Sequence, residues 1–130
     1  MIKPFIFALF SLALFGLSCR KNGGYTDTIK LSQNSIDFDS SASRAVVTTQ
    51  SRGWWLNNID LNGKKVDLSD VDRTAQNFIV VRPEFTLERV NGKKIVITVS
   101  RNESGSERTL IIALQAGDYF DGIRITQSDG

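Results

Sequence analysis

Few side chains in this chain are suited to catalysis. Its 130 residues contain no histidine and a single cysteine, Cys19, together with 14 aspartates and glutamates. The chain therefore cannot by itself supply a catalytic triad, a Cys-His pair or a histidine-ligated metal site. The remaining carboxylate pairs, Asp37 with Asp39 and Asp70 with Asp72, have a spacing typical of exposed strand edges and loops. We therefore expect neither an enzyme nor a bound cofactor.

The three aspartates Asp67, Asp70 and Asp72 lie close together in the sequence and invite comparison with a calcium site, since calcium prefers several oxygen ligands. The glycine and terminal glutamate of a calcium-binding loop are missing from this segment. A solvated polar segment is expected here, and no metal site is predicted.

Two adjacent tryptophans are the first candidates for ligand binding. Consecutive side chains of a strand point to opposite faces, so one ring lies inside the domain and the other outside. Trp54 shares its face with Leu56 and is predicted to lie in the core. Trp55 is predicted to face outward beside Asn57, where an aromatic ring next to an amide can stack on a sugar ring. The alternative is that Trp55 packs beneath residues 60–85.

A second candidate site is the turn formed by Asp118, Tyr119, Phe120 and Asp121, in which two aromatic rings are flanked by two carboxylates. These residues are predicted to form a binding tip. The alternative is a hairpin whose ring folds back over the end of the domain.

The apolar run over residues 5–17 ends two positions before Cys19. As a helix it would span about 20 Å, at ~1.5 Å per residue, which is shorter than a hydrocarbon core of about 30 Å. The run therefore suits a cleaved signal peptide. The sequence Gly16-Leu17-Ser18-Cys19 resembles the bacterial lipobox, whose cysteine becomes lipidated. The alternative is an ordinary secretory signal with an incidental cysteine.

We therefore predict three parts: a lipoprotein signal peptide over residues 1–18, a polar tether over 19–27 that begins with the lipid attachment site Cys19, and one domain over 28–130. Two or more acyl chains hold a protein stably on a bilayer. Acidic and basic residues are nearly balanced after the signal peptide is removed, so nucleic acid is not an expected partner.

From residue 29 onward, short β-prone runs alternate with turn residues, and no long helical stripe of apolar residues is present. Asn62-Gly63 and Asn91-Gly92 each predict a tight hairpin, because both residue types tolerate the positive φ of a type I′ turn. Residues 69–76 are either a loop or one helical turn. The predicted strands are 29–32, 35–39, 44–50, 53–61, 65–68, 77–81, 84–90, 94–100, 108–115 and 121–127.

Apolar residues recur at every second position in the predicted strands near the C-terminus, so one face of each of these strands is expected to lie in the interior. This pattern predicts an all-β, immunoglobulin-like β-sandwich of about seven to nine strands. The residues predicted to form its core are Trp54, Leu56, Ile97, Val99, Ile112 and Ile125.

Several short motifs follow one another in a fixed order along the predicted domain. They are Ile29-Lys30-Leu31-Ser32, Ile36-Asp37-Phe38, residues 45–49, Trp54-Trp55-Leu56, Ile97-Thr98-Val99, Asn102-Glu103-Ser104 with Arg108, and Ile123 to Gln127. Their order resembles the BACON domain (Bacteroidetes-associated carbohydrate-binding, often N-terminal). The resemblance covers nearly the whole predicted domain, and residues 60–85 are longer than the connection usual in that family. Asn102 and Arg108 are interpreted as residues that cap a turn and a strand edge.

The resemblance implies a membrane-anchored, non-catalytic binding module for carbohydrate or glycoprotein. The alternative is a structural spacer, or a lipoprotein that interacts with protein partners in an envelope complex. Surface lipoproteins of this type carry acidic residues after the lipidated cysteine, whereas here Arg20-Lys21-Asn22 follow it. We therefore expect a lipid anchor in the bacterial outer membrane, on the periplasmic face rather than the cell surface.

Overall fold

The computed structural model describes residues 26–130. Over this range it contains nine strands, and no helix has the length and apolar character needed to cross a membrane. The predicted signal peptide, Cys19 and the tether up to residue 25 lie outside the described residues. The strands are β1 (Ser35–Phe38), β2 (Ser43–Thr48), β3 (Trp55–Leu61), β4 (Lys64–Lys65), β5 (Phe78–Val81), β6 (Phe85–Val90), β7 (Lys94–Val99), β8 (Arg108–Ala116) and β9 (Tyr119–Gln127).

The strands form two sheets that pack face to face. One sheet has five strands in the order β1-β9-β8-β3-β4, and the other has four in the order β2-β7-β6-β5. The orders β3-β8-β9 and β2-β7-β6 correspond to the C-F-G and B-E-D strands of an immunoglobulin domain. β1 pairs with β9 in parallel, and the remaining strand pairs are antiparallel. The predicted immunoglobulin-like β-sandwich is confirmed.

The core lies between the two sheets. All six residues predicted for it are buried, with Leu56, Ile97 and Ile112 completely inaccessible to solvent. Leu110, Leu114, Ile123 and their neighbours on the same faces complete the interior. Burial at every second position along β8 and β9 is the expected consequence of strand geometry.

Both Asn-Gly hairpins are present, with positive φ at Asn62, Gly63, Asn91 and Gly92. The first joins β3 and β4 through a two-residue loop. The second has three loop residues, one more than a tight type I′ hairpin, because Val90 pairs with Lys94. The Lys93 carbonyl in this loop accepts a hydrogen bond from the Thr49 N–H at 2.8 Å.

The prediction of a strand over residues 29–32 is wrong. Lys30 has a positive φ of 51°, and the Asp27 carboxylate accepts hydrogen bonds from the N–H groups of Ile29 and Lys30, which turns the chain. Ile29 is nevertheless buried, and its carbonyl accepts a bond from the Gln50 N–H. The predicted strand at 65–68 is reduced to Lys64–Lys65.

Residues 60–85 extend both sheets, since they contribute β4 to one and β5 to the other. Between these strands, residues 69–76 form a loop with two turns. The N–H of Val71 bonds to the Leu68 carbonyl, and that of Ala75 bonds to the Asp72 carbonyl. Leu68 is buried and attaches this loop to the core.

Candidate binding face

Three side chains line up across the outer face of the five-stranded sheet. Trp55 on β3 and Phe120 on β9 are both paired in register with Gln115 on β8. Directly paired residues point to the same side of a sheet, and the adjacent Leu56 and Leu114 are buried, so this row faces solvent. The two aromatic residues are two strand spacings apart, or about 10 Å. Phe120 is 60% exposed and Trp55 is half-buried.

A β-bulge brings Asn57 into this row. The register between β3 and β8 shifts between Leu56 and Asn58. The Asn57 side-chain amide donates to the Gln115 side-chain oxygen at 2.7 Å, and the Gln115 amide in turn donates to the Gly117 carbonyl at 3.0 Å. The two amides are therefore held in place between the two aromatic rings.

The loop that follows β4 runs beside this bulge. The Arg73 carbonyl accepts a bond from the Leu56 N–H at 3.1 Å, and the Arg73 guanidinium donates to the Asn57 carbonyl at 2.7 Å. The loop borders a depression of about 500 Å³ lined by Asn57, Asn58, Lys65 and Arg73 among others. The half-burial of Trp55 lies between its two predicted environments, a fully outward ring and a ring packed beneath residues 60–85.

The prediction that Asp118, Tyr119, Phe120 and Asp121 form a turn is wrong, because β9 begins at Tyr119 and only Asp118 lies in the turn. The other three residues point alternately to the two sides of β9. Tyr119 packs against the core, and its hydroxyl donates to the Asp121 carboxylate at 3.3 Å. Burial, helped by the charges of Asp121 and Asp27, raises the pKa of Tyr119 to about 12. Asp118 is exposed in the turn. Of the six predicted ligand-binding residues, the structure brings together Trp55, Asn57 and Phe120.

Sequence reasoning did not select Gln115 or Arg89. Because side chains alternate between the two faces of β8 and Leu114 points inward, Gln115 is expected to point outward. Its position between Trp55 and Phe120, however, depends on the register of three strands. Arg89 follows Phe85 and Leu87 at intervals of two, and that spacing was a sign of an inward-facing arginine.

Arg89 lies on β6 of the four-stranded sheet and is only 1% exposed. Its guanidinium donates hydrogen bonds to the carbonyls of Gly92, Trp54, Ala75 and Arg52 at 2.9–3.1 Å. It also stacks on Trp54, with 3.5 Å between its central carbon and the ring centroid. Burial lowers its pKa to about 10. Arg89 therefore holds together three segments: residues 52–54 before β3, the hairpin at Gly92, and the loop at Ala75.

A second polar cluster closes the opposite end of the sandwich. The Asn102 side-chain amide donates to the carbonyls of Ser106 and Ser128 at 2.9 and 3.0 Å. Arg108 donates to the Gln127 side-chain oxygen at 2.8 Å, and the Gln127 amide donates to the Ser41 carbonyl at 3.1 Å. Asn102, Arg108 and Gln127 are buried, so this cluster fixes the last strand and two loops.

The aspartates considered for calcium have local partners. Asp70 forms an ion pair with Arg82 at 3.0 Å, while Asp67 and Asp72 accept turn hydrogen bonds from Ser69 and Thr74. Within residues 26–130, no group of three or more acidic, cysteine or histidine side chains is arranged to hold a metal ion.

No protein-family model matches this chain, and no curated protein matches it. Among solved structures it is similar to a protein from Bacteroides thetaiotaomicron determined by NMR, with a TM-score of 0.66 and 15% sequence identity over 82% of this chain and 92% of that one. This likeness is one of fold. The chain is also similar to titin domain M7, with a TM-score of 0.44 and 6% identity over 75% of this chain and 87% of that domain.

Proposed function

We propose that this protein is a non-catalytic, membrane-anchored module of BACON type that binds carbohydrate on the outer face of its five-stranded sheet. The observation that carries the proposal is the register that places Trp55 and Phe120 on either side of Gln115. Aromatic rings offer flat apolar surfaces to the C–H faces of sugar rings, and the amides beside them offer donors and acceptors to hydroxyl groups. An immunoglobulin-like sandwich is a fold typical of non-catalytic modules.

The buried cluster at the far end supports the proposed family. Its members Asn102, Ser104, Arg108 and Gln127 are the residues quoted for the resemblance, although they are separated by up to 25 positions in the chain. The Ser104 hydroxyl donates to the Asn102 side-chain oxygen at 2.7 Å, and Arg108 donates to Gln127. A bond from the Asn102 amide to the Gln127 carbonyl connects these two pairs, so the four residues share one hydrogen-bonded network.

We also propose that Cys19 carries the lipid and that the domain lies on the periplasmic face of the outer membrane. Replacing Cys19 with alanine is expected to abolish the incorporation of radiolabelled palmitate into the protein, because this cysteine is the proposed attachment site of the acyl chains. Metabolic labelling followed by immunoprecipitation measures this, with the wild-type protein as control. A Cys19→Ala protein that is labelled as strongly as wild type would contradict the lipid anchor.

Alanine at either aromatic position is expected to weaken glycan binding. A glycan array identifies a ligand of the wild-type domain, and titration calorimetry then compares Trp55→Ala and Phe120→Ala with wild type. Each substitution removes one stacking surface, and we expect about a tenfold or greater loss of affinity, equivalent to ~1.4 kcal/mol. Circular dichroism and thermal unfolding confirm that both variants are folded.

The matched control is Ile79→Ala, which removes an exposed apolar side chain from the other sheet. It is expected to leave glycan affinity unchanged. The site is wrong if Ile79→Ala weakens binding as much as the aromatic variants do. The function is wrong if no glycan on the array binds the wild-type domain.

The edge strand β5 favours a second candidate, a component of an envelope protein complex. Ile79 and Val81 are 54% and 60% exposed on this four-residue edge, and an exposed edge strand can pair with a strand of another protein. Silence across the glycan array, with a protein partner captured by wild type and lost on Val81→Lys, would favour this candidate over carbohydrate binding.

A further inference from the structure

The outer face around β8 continues well beyond the aromatic row. The outward side chains of β8 after Gln115 are Ala113, Ile111 and Thr109. Ala113 and Ile111 are flanked by partners on both β3 and β9, and Thr109 is flanked by Thr126 on β9. The row at Ala113 consists of Asn58 on β3, Ala113 on β8 and Gly122 on β9. Because alanine and glycine carry little or no side chain, the β8–β9 part of the face has no bulky group directly beyond the aromatic row.

The next row consists of Asp60, Ile111 and Arg124 on three adjacent strands. Ile111 and Arg124 also line a depression of about 560 Å³ at the far end of the face, together with Asn62, Gly63, Ser104, Ser106, Glu107 and Thr109. Three hydroxyl groups and the Asn62 amide lie there beside the charged side chains of Glu107 and Arg124. The aromatic row and the depression therefore belong to one continuous surface along β8.

We propose that this surface binds an uncharged, linear oligosaccharide that lies along β8 from the Trp55–Phe120 row to the depression beside Asn62. The proposal rests on the carbohydrate-binding function proposed above and specifies its ligand. The distance from Gln115 to Thr109 is six strand residues, or about 20 Å at ~3.4 Å per residue. A chain of several sugar rings is needed to cover it.

The charges of the face favour an uncharged chain. The acidic side chains on or beside it are Asp37, Asp60, Asp67 and Glu107, and the basic ones are Lys65, Arg73 and Arg124. Acidic and basic side chains are interspersed, so a polyanionic ligand would lie next to at least as many carboxylates as basic side chains. Ile111 at the centre of the path suits the apolar face of a sugar ring.

Chain length is the variable that tests this proposal. Isothermal titration calorimetry measures the affinity of the domain for ligands of two to six rings. The neutral ligands are cello-, malto- and xylo-oligosaccharides, and the anionic ones are oligogalacturonates. For a neutral series that binds, we expect affinity to rise about tenfold or more from two rings to the length that spans the path, and then to level off. The anionic series is expected to bind more weakly.

Ala113→Tyr places a bulky ring on the path without replacing any residue of the aromatic row. We expect it to reduce the affinity of the six-ring ligand to that of the two-ring ligand and to leave the latter unchanged. Thr98→Tyr is the matched control, since Thr98 occupies an outward position on the central strand β7 of the other sheet. It is expected to change neither affinity.

Three results would overturn the proposal. Equal affinity for two-ring and six-ring ligands, with Trp55→Ala still weakening both, would contradict the extended binding path along β8 but not carbohydrate binding itself. Tighter binding of the anionic series would contradict the uncharged ligand. Absence of binding to every glycan, neutral or anionic, would overturn the proposed function together with this inference.

Discussion

Replacing Arg89 with methionine is expected to lower the free energy of unfolding by about 2–4 kcal/mol. The substitution removes four charge-assisted hydrogen bonds and the stacking on Trp54 while keeping much of the side-chain volume. The carbonyls of Gly92 and Trp54 belong to buried residues, so they would lose their donor without gaining water.

An opposing effect must be weighed, because a buried arginine is itself costly. Desolvation lowers the pKa of Arg89 to about 10, so removing the charge relieves a penalty. The relief is smaller than the loss, since the carbonyls remain in the protein after the guanidinium has gone. Unpaired buried acceptors cost about 1–3 kcal/mol each.

Urea denaturation of Arg89→Met and wild type measures the difference. Arg44→Met is the matched control because Arg44 is exposed on β2, and its effect should stay within about 0.5 kcal/mol. A loss below about 1 kcal/mol for Arg89→Met would show that the guanidinium bonds do not stabilise this end of the domain.

Asn102→Ala is expected to be comparably destabilising, by about 2–4 kcal/mol. Asn102 is completely buried, and its amide and side-chain oxygen bond to Ser106, Ser128 and Ser104. Alanine removes these bonds, together with the buried bond from the Asn102 amide to the Gln127 carbonyl, and opens a small cavity. The effect should be concentrated at the end of β9 and in the loop over residues 100–107.

Thermal unfolding measures the overall loss, and amide hydrogen exchange locates it. Asn34→Ala is the control, because Asn34 is exposed and its backbone carbonyl, which alanine retains, accepts the Arg124 N–H. If Asn102→Ala and Asn34→Ala unfold at the same temperature, the cluster does not hold this end together.

The fold was predictable from the sequence because burial follows strand alternation. Ile97 with Val99, and Ile112 with Leu114, lie at two-residue intervals and enter the core together. Residues 29–32 were predicted wrongly, since their β-prone composition was overridden by the Asp27 turn and the positive φ of Lys30.

The candidate site was predictable only in part. Alternation separates Trp54 from Trp55, but it does not show which residue of another strand lies beside Trp55. That neighbour, Gln115, is set by the pairing of β3 with β8 and by the bulge at Asn57, and both depend on contacts between distant parts of the chain. Arg89 was missed because a charged side chain is rarely placed in a core without a carboxylate partner.

The proposed binding face is tested most directly by NMR, using the two tryptophan indoles of the labelled domain as internal comparison. The Trp54 indole N–H is buried and donates to the Thr49 hydroxyl at 3.2 Å, whereas Trp55 lies on the outer face beside Gln115. On titration with a glycan selected from the array, we expect the Trp55 indole and the Asn57 and Gln115 side-chain amides to shift while the Trp54 indole stays in place. Shifts confined to β5 around Ile79 and Val81, with the Trp55 indole unmoved, would contradict the account.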